Sequence, residues 1–399
     1  MKRQTTLATK LAATEPRVRA IYVSTYIPRE CGIATFTKDL TNAINLLNPY
    51  CLADIVAIDD EKSGGEARNY PWEVKYKINQ EDLRSWIDAA DYINQSGADV
   101  VCIEHEFGIY GGFEGEYAVP FIEAIKKPVA VAFHTVLPQP SAKQREMVRR
   151  LCKRADAVIV MVNIGAERLA EIYGVNANKI VVIPHGVPDI TFGPTQDTKE
   201  KLGFPNDNII AGFGLLGPGK GYEHAISAMP AILAEHPNTK LLLIGQTHPV
   251  TLRYYKTDQY RQRLIRLTKK LGVEKNVVFI NRYLSLDEII DYLKATDVYI
   301  TPFPNLDQIT SGTLSYAIGA GKACVSTPYS YAKEVLANNR GLLVEPENDF
   351  DLSEKISYLL KHPRKRNEIA KNAYAYGRNM IWPSVALRHL DLFELLIKK

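Results

Sequence analysis

Short runs of β-branched and aliphatic residues alternate with amphipathic segments along the chain, and this alternation constrains the fold more than any other feature. In the first half the runs are 18–23, 54–58, 99–103, 128–133, 157–162 and 179–183. In the second half they are 208–214, 240–245, 276–280, 297–303, 322–327 and 341–345. Strands that alternate with helices form parallel sheets. The pattern therefore predicts an α/β protein with two doubly wound, Rossmann-like domains that face a cleft.

The segment 187–207 interrupts this alternation with prolines, glycines and charged residues, and we interpret it as the linker. The predicted organisation is an N-terminal tail at 1–17, a first domain at 18–190 and a second domain at 191–379. Ligands bind such sheets at the carboxyl ends of the strands. The loops that follow strands are therefore where we search for chemistry.

Composition excludes several classes of protein. The 399 residues carry a net charge of only +4, whereas a nucleic-acid binder usually shows a steeper basic bias, so we expect no nucleic-acid partner. The five cysteines are scattered without a C-x-x-C pair, which favours reduced thiols and a cytoplasmic protein. We see neither a signal peptide nor an apolar stretch long enough to span a membrane. The basic segments 143–154 and 253–270 are compatible with a peripheral contact at the inner membrane face, which stays an alternative.

The stretch "GFGLLGPGKGYEHAI" at 212–226 matches parts of several phosphate-binding patterns. As a dinucleotide fingerprint it is weak, because Pro218 and Gly219 delay the helix that should follow. As a P-loop it fails at Gly221, where a hydroxyl should hold Mg²⁺. What remains is a glycine turn, a helix that begins near Tyr222 and a mobile positive charge on Lys220, all suited to a phosphate. A tight turn with a solvated lysine is the alternative interpretation.

Other candidates follow strands. They are Arg29 and Gly32 after the first strand, Glu104, His105 and Glu106 after the third, His134 after the fourth, and His185 at the start of the linker. In the second domain, Thr310 or Ser311 is placed to cap a helix whose first turn contains Gly312 and Thr313, an arrangement that binds anions. The histidines and glutamates lack the H-E-x-x-H spacing of a zinc site, so no metal is expected.

Helix ends can also be assigned from short motifs. Ser285 and Glu288 form a capping box. Asn163 is predicted to cap a helix that Gly174 terminates, and we interpret the aspartates of 349–351 as helix caps.

Taken together and in this order, several segments resemble the retaining, metal-independent glycosyltransferases of family 4, the group 1 transferases with the two-domain GT-B fold. The segments are "RECGIATFTKDL", His134, "IPHGV", "GLLGPGKGYEHAI", "SGTLSYAIGAGKACVST" and "WPSVALRHLDLFELLIKK". The resemblance implies transfer of a hexose from a nucleotide diphosphate sugar, UDP-glucose or GDP-mannose, to a carbohydrate, lipid-linked or other hydroxyl acceptor. It also implies an acceptor-binding first domain, a donor-binding second domain, and a last helix at 380–399 that returns to the first domain.

The resemblance also implies roles for individual residues. The catalytic candidates are His134, Lys220 and Gln308. The donor-binding candidates are Gly32, Gly217, Lys220, Ser311, Gly312, Thr313 and Tyr316. Arg29, Glu104, His105 and Glu106 are acceptor-side candidates. No metal or other cofactor is implied, because backbone amides and a lysine can stabilise the leaving diphosphate.

The sequence departs from the family pattern at three positions. Gln308 and Tyr316 stand where the family usually carries two glutamates, and Leu215 stands where it carries an arginine. These departures leave two alternatives open. One is a related enzyme with other chemistry on the same donor, such as an epimerase or a phosphorylase. The other is a sugar-nucleotide-binding protein that has lost catalysis.

Overall fold

The computed structural model describes residues 18–60, 68–193, 196–247 and 258–398. The predicted tail at 1–17 lies outside the described residues, and so does the first part of the basic segment 253–270. Within these ranges thirteen strands form two fully parallel sheets, one of seven strands and one of six. The prediction of two doubly wound domains is confirmed.

The first sheet has the strand order β3-β2-β1-β4-β5-β6-β7. Its strands are β1 (Ala20–Ser24), β2 (Asp54–Asp59), β3 (Val74–Asn79), β4 (Val100–His105), β5 (Val129–Phe133), β6 (Ala157–Val160) and β7 (Ile180–Val182). The helices of this half are α1 (Gly32–Leu47), α2 (Leu83–Gln95), α3 (Ala118–Ala124), α4 (Ala142–Arg154) and α5 (Asn163–Glu171). Strands β1, β4, β5 and β6 are buried along their whole length, which is why they appear as continuous apolar runs.

The second sheet has the order β10-β9-β8-β11-β12-β13. Its strands are β8 (Asn208–Phe213), β9 (Thr239–Ile244), β10 (Val277–Ile280), β11 (Val298–Thr301), β12 (Ala323–Ser326) and β13 (Gly341–Leu343). The helices are α6 (Gln196–Lys201), α7 (Tyr222–Glu235), α8 (Gln259–Leu271), α9 (Leu286–Ala295), α10 (Gly312–Gly319), α11 (Ser330–Val335), α12 (Asp349–Lys361), α13 (Pro363–Gly377) and α14 (Trp382–Ile397). None of the helices within the described ranges is long and apolar enough to cross a membrane.

The last helix, α14, packs on helix α1 of the first domain. Its apolar residues Val385, Ala386 and Phe393 are buried in the same cluster as Phe36 and Leu40 of α1. Where the chain leaves the first domain, Val187 pairs in parallel with Ile381 just before α14. The two chain segments that connect the domains therefore lie side by side.

Glycines allow close packing at this crossing. A Cβ atom on Gly186 would overlap the indole ring of Trp382, and one on Gly319 would lie 2.6 Å from a methyl group of Val187. The first residues of the linker thus fit tightly against both the start of α14 and helix α10 of the second domain.

Two predicted helix caps are wrong in detail. Asn163 is the first residue of α5 and does not cap it. Glu334 of α11, in the second domain, accepts hydrogen bonds from the backbone amides of Asn163 and Ile164 at 2.9 and 3.1 Å. Asn348 caps α12, so Asp349 and Asp351 lie in its first turn. The predicted capping box of Ser285 and Glu288 is confirmed.

Candidate active site

Both sheets have a switch point, where the strand order reverses. In the first sheet it lies between β1 and β4, and in the second between β8 and β11. Crevices for ligands form at the carboxyl ends of the strands at such points. All four loops that leave these strand ends contain predicted site residues, which places most of the candidates on the two faces of the cleft between the domains.

The loop after β8 contains the glycine-rich stretch and ends at Gly221. Gly221 has a φ of +61°, and a Cβ atom there would collide with the carbonyl group of Pro302 in the loop after β11, so glycine is required. Lys220 is half-buried between these loops, and its Nζ lies 4.4 Å from the centroid of the Phe303 ring. Burial lowers the pKa of Lys220 to about 8, because the ammonium has lost part of its hydration.

Helix α10 begins beside this lysine. The Ser311 hydroxyl caps the helix by accepting a hydrogen bond from the backbone amide of Leu314 at 3.3 Å, as predicted for Thr310 or Ser311. The amides of Gly312 and Thr313 precede the first hydrogen bond within the helix, so they are available to an anion. The positive end of the helix dipole adds to their attraction.

Gly214 marks the point where these groups converge. A Cβ atom on Gly214 would lie 3.2 Å from Cγ2 of Thr313 and 3.7 Å from Nζ of Lys220. At Gly217, and at Gly32 in the first domain, a Cβ atom would meet no heavy atom of the described residues within 4 Å beyond the immediate chain neighbours. The backbone at both glycines therefore borders open space.

His134 is held by a buried carboxylate. Its Nε2 lies 2.8 Å from Oε2 of Glu104, which has no exposed surface. The edge of the Phe36 ring packs against the His134 ring, with 5.0 Å between the centroids. With Nε2 bound to Glu104, the ring orientation is fixed and Nδ1 is the nitrogen left for a ligand.

His185 connects this region to helix α10. Its Nδ1 donates a hydrogen bond to the carbonyl group of Gly186 at 2.7 Å. Burial lowers the pKa of His185 to about 4, so the ring is neutral at physiological pH. A Cβ atom on Gly312 would lie 3.0 Å from Nε2 of His185, and Phe36 lies 5.0 Å from the same ring, centroid to centroid. The first turn of α10 and the His134 region are thus adjacent.

Two of the three residues that depart from the family pattern, Gln308 and Tyr316, have hydrogen-bond partners in the protein. Gln308 donates from Nε2 to the carbonyl group of Thr310 at 2.5 Å, which leaves its side-chain oxygen for a ligand. Tyr316 is buried and donates from its hydroxyl to Oδ2 of Asp39 on helix α1, at 2.8 Å. Tyr316 therefore joins the two domains through a hydrogen bond to the Asp39 carboxylate.

The acceptor-side candidates separate into different environments. Arg29 donates from Nη1 to the Ile58 carbonyl group at 3.3 Å and to Gln80 at 3.2 Å, so it is committed to the first domain. Glu106 caps the turn that follows β4 and also accepts a hydrogen bond from the Thr135 hydroxyl at 2.5 Å, next to His134.

His105 is enclosed and has no exposed surface. Its ring packs on Phe107, Tyr110 and Phe133, with centroid distances of 5.2, 5.3 and 4.8 Å. Within the described part of the chain neither ring nitrogen has a hydrogen-bond partner. Burial lowers its pKa to about 3, so the ring is neutral. The structure does not bring His105 to the surface of the cleft.

The two domains touch at the mouth of the cleft as well as at the crossing. Gln246, after β9, donates to the Glu30 carboxylate at 2.6 Å. The hydroxyl groups of Thr35 and Tyr283 lie 3.2 Å apart. Among the residues that the structure describes, no group of three or more His, Cys, Asp or Glu side chains has the arrangement of a metal site.

Comparison with known proteins identifies the family. The model of Glycosyl transferases group 1 matches residues 194–376, and that of Glycosyltransferase Family 4 matches residues 51–189. The chain belongs to the group 1 glycosyltransferases of family 4. The membership of this family that the sequence predicted is confirmed.

Two similar proteins are named for their activities. A GDP-mannose-dependent monoacylated alpha-(1-6)-phosphatidylinositol monomannoside mannosyltransferase from Corynebacterium glutamicum is 27% identical over 234 residues, which are 56% of this chain and 57% of that protein. A D-inositol 3-phosphate glycosyltransferase from Acidothermus cellulolyticus is 28% identical over 261 residues, 60% of this chain and 53% of that protein. The chain thus spans only somewhat more than half the length of these relatives.

Solved structures agree on the fold. The sucrose-phosphate synthase of Thermosynechococcus elongatus superposes with a TM-score of 0.77 at 17% identity, covering 95% of this chain and 99% of that chain. Anabaena HepE in complex with UDP-glucose superposes with a TM-score of 0.70 at 16% identity, covering 94% of this chain and 99% of that chain. These neighbours are GT-B glycosyltransferases, so the predicted fold class is confirmed.

Two residues of the site were not predicted. Asp39 lies in the middle of helix α1, and its role is visible only in the folded chain, where Tyr316 of the second domain donates a hydrogen bond to it. Phe303 ends an apolar run, and nothing in its local sequence shows that its ring lies against Lys220. The only available signal was position, because Phe303 follows a strand at a switch point.

Proposed function

We propose that the protein is a retaining glycosyltransferase that moves a hexose from a nucleotide diphosphate sugar to a hydroxyl group of an acceptor, without a metal ion. The observation that carries this proposal is the convergence of Lys220 with the first turn of α10 at Gly214. Three features that attract phosphate oxygens meet there. They are an ammonium group, free backbone amides and the positive end of a helix dipole.

The charge that develops in the reaction explains why these groups suffice. When the bond between sugar and phosphate breaks, negative charge grows on the leaving diphosphate. Preorganised donors in a partly dehydrated site stabilise such charge more strongly than water does. Lys220 and the amides of Gly312 and Thr313 would then stabilise the negative charge in place of a divalent cation. The loop at Gly32 would approach the diphosphate from the first domain.

We propose that the anomeric configuration is retained without a covalent intermediate on Glu104. Retaining transfer by way of a covalent intermediate needs a carboxylate that can reach the sugar. Glu104 is fully buried and bonded to His134, so it cannot attack. We propose front-face attack, in which the acceptor oxygen bonds to the anomeric carbon as the carbon–phosphate oxygen bond breaks. The acceptor proton passes to the leaving phosphate oxygen, and His134 orients the donor sugar.

The roles of the remaining candidates follow from their partners. Gln308 presents its side-chain oxygen to a sugar hydroxyl, and Ser311 holds the first turn of α10 in place. We propose that a ribose hydroxyl of the donor joins the hydrogen bond between Tyr316 and Asp39. Glu106, beside Thr135, is the acceptor-side candidate that the geometry favours over Arg29 and His105.

Donor and acceptor are proposed from the relatives. One matched relative is named as GDP-mannose-dependent and one neighbouring structure contains UDP-glucose, so both donors are candidates. The names of the relatives contain D-inositol 3-phosphate and a monoacylated phosphatidylinositol monomannoside, which supports a carbohydrate or lipid-linked acceptor. All five cysteines are free, in keeping with a cytoplasmic enzyme. A contact with the inner membrane face would accompany a lipid-linked acceptor.

The test is incubation with a panel of nucleotide sugars and acceptors, with and without EDTA. We expect release of UDP or GDP that EDTA leaves unchanged, and NMR of the product should show the anomeric configuration of the donor. Inversion would contradict front-face attack, and inhibition by EDTA would contradict the metal-independent mechanism. Stabilisation by a nucleotide sugar without turnover would identify a binding protein. A changed sugar on an intact nucleotide would identify an epimerase.

A further inference from the structure

A polar cavity lies on the second domain at the amino-terminal ends of the strands, whereas the candidate active site lies at their carboxyl ends. Its volume is about 190 Å³, against the ~30 Å³ that one water molecule occupies in the liquid. Asp297 and Lys322 line it, immediately before strands β11 and β12, and Arg366 lines it from the first turn of α13. Phe192 and Gly193 of the linker complete one side.

Positive charge exceeds negative charge around this cavity. The Asp297 carboxylate is paired with Lys199 at 2.5 Å and with Arg366 at 3.3 Å. It also accepts a hydrogen bond from the backbone amide of Ile209 at 2.8 Å. Lys322 contributes a third cation and has no carboxylate partner among the described residues. The residues that line the cavity therefore include two cations, Lys322 and Arg366, and one carboxylate, which also pairs with Lys199 from outside the lining.

The donors of these cations are only partly used. Lys322 is buried, and its ammonium donates to the carbonyl groups of Lys294 and Thr296 at 2.9 and 3.2 Å, which leaves one of three hydrogens. The Arg366 guanidinium has five N–H groups, and among the described residues Asp297 is its one ion-pair partner. An arginine with free N–H groups is suited to the paired oxygens of a phosphate.

Burial of Lys322 without a counterion is unfavourable. Desolvation lowers the pKa of this lysine to about 8, although the nearby Asp297 carboxylate acts in the opposite direction. Buried charges are normally paired, because an uncompensated charge is costly away from water. A bound anion would supply the missing charge, and the N-terminal end of α13 would add its dipole.

We propose that this cavity binds a small oxyanion of the phosphate class, either free phosphate or the phosphate group of a monoester. Arg366 and Lys322 are the residues that contact it, and Asp297 positions Arg366. Because the linker residues Phe192 and Gly193 form one side of the cavity, the anion would join the linker to the second domain. This site is separate from the diphosphate site at Lys220, which lies at the carboxyl ends of the strands.

The test is calorimetric titration of the full chain with inorganic phosphate at pH 7. Arg366→Gln removes the guanidinium and leaves Asp297 paired with Lys199. Its matched control is Arg364→Gln, which removes the same charge from the same helical turn at an exposed residue that does not line the cavity. We expect phosphate to bind at least tenfold more weakly to Arg366→Gln and within twofold of the unmodified protein to Arg364→Gln.

Three further measurements separate this site from others. Lys322→Met should weaken phosphate binding as Arg366→Gln does, and circular dichroism would confirm that both variants are folded. Lys220→Met should leave phosphate binding at this site unchanged. A hexose 6-phosphate that binds more tightly than phosphate would identify a monoester as the ligand, and equal binding would identify free phosphate. Equal affinity of Arg366→Gln and the unmodified protein, absence of phosphate binding, or its loss in Lys220→Met would overturn the proposal.

Discussion

Replacing Lys220 with methionine tests the proposed stabilisation of the leaving diphosphate most directly. Methionine keeps an unbranched apolar side chain against Phe303 and removes only the ammonium group, so the packing between the two loops should survive. A lysine nitrogen about 4 Å from one full charge, at an effective dielectric constant of about 20, contributes about 4 kcal/mol. Lys220 is half-buried and shares the diphosphate with the first turn of α10, so this value is an upper limit.

We therefore expect kcat to fall by about 10²- to 10³-fold, the range seen when one donor to a developing negative charge is removed. The assay is release of UDP or GDP at saturating donor, with KM measured in parallel. Lys201→Ala, which removes an exposed lysine paired with Asp291, is the control and should retain full activity. A kcat for Lys220→Met within twofold of the unmodified enzyme, or an effect confined to KM, would refute transition-state stabilisation by this residue.

Three further predictions follow from the same contacts. Because the pKa of Lys220 is lowered to about 8, its charge is present below that pH and lost above it, so kcat/KM should fall as pH rises through about 8; Lys220→Arg should keep its activity at higher pH, and an unchanged profile in that variant would contradict the assignment. Glu104→Gln should lower kcat at least tenfold while donor KM changes less than threefold, because it weakens the hydrogen bond that orients His134; equal changes in both constants would indicate another role. Gly186→Ala should lower the free energy of unfolding by about 2–3 kcal/mol in urea titrations, because its Cβ would overlap the Trp382 ring; an unchanged midpoint would show that the crossing is looser than described.

Most of the fold could be predicted because parallel strands are buried on both faces and leave an unambiguous signal. The exception is β3, which was not predicted. It is an edge strand whose residues alternate between half-buried and exposed, with Lys75 and Lys77 among them, so it lacks a continuous apolar run. Charged residues are common on edge strands because they discourage pairing with other chains. The helical crossover at α14 was inferred from a resemblance, and its apolar stripe alone did not show which domain would cover it.

The candidate site was predictable to the level of loops but not of contacts. Glycine, lysine and helix-cap patterns are local, so Lys220 and Ser311 could be identified as residues able to bind an anion. The hydrogen bond between Tyr316 and Asp39 joins residues that are 277 positions apart, and no local pattern encodes it. The same limit applies to Glu334, which satisfies the first amides of α5 from the other domain. His105 illustrates a third limit, because a strand end does not reveal whether a side chain points to the cleft or to an aromatic core.

The pairing of Val187 with Ile381 has a mechanical consequence. Both covalent connections between the halves of the molecule pass through one narrow strip, so bending can occur there while twisting strains two chains at once. Any such bending would also separate Glu334 from the amides that begin α5, so an open arrangement would leave that helix end to water. Opening of the cleft would then be coupled to exposure of the first amides of α5, a helix that also donates from Arg168 to the Asp307 carbonyl group beside Gln308.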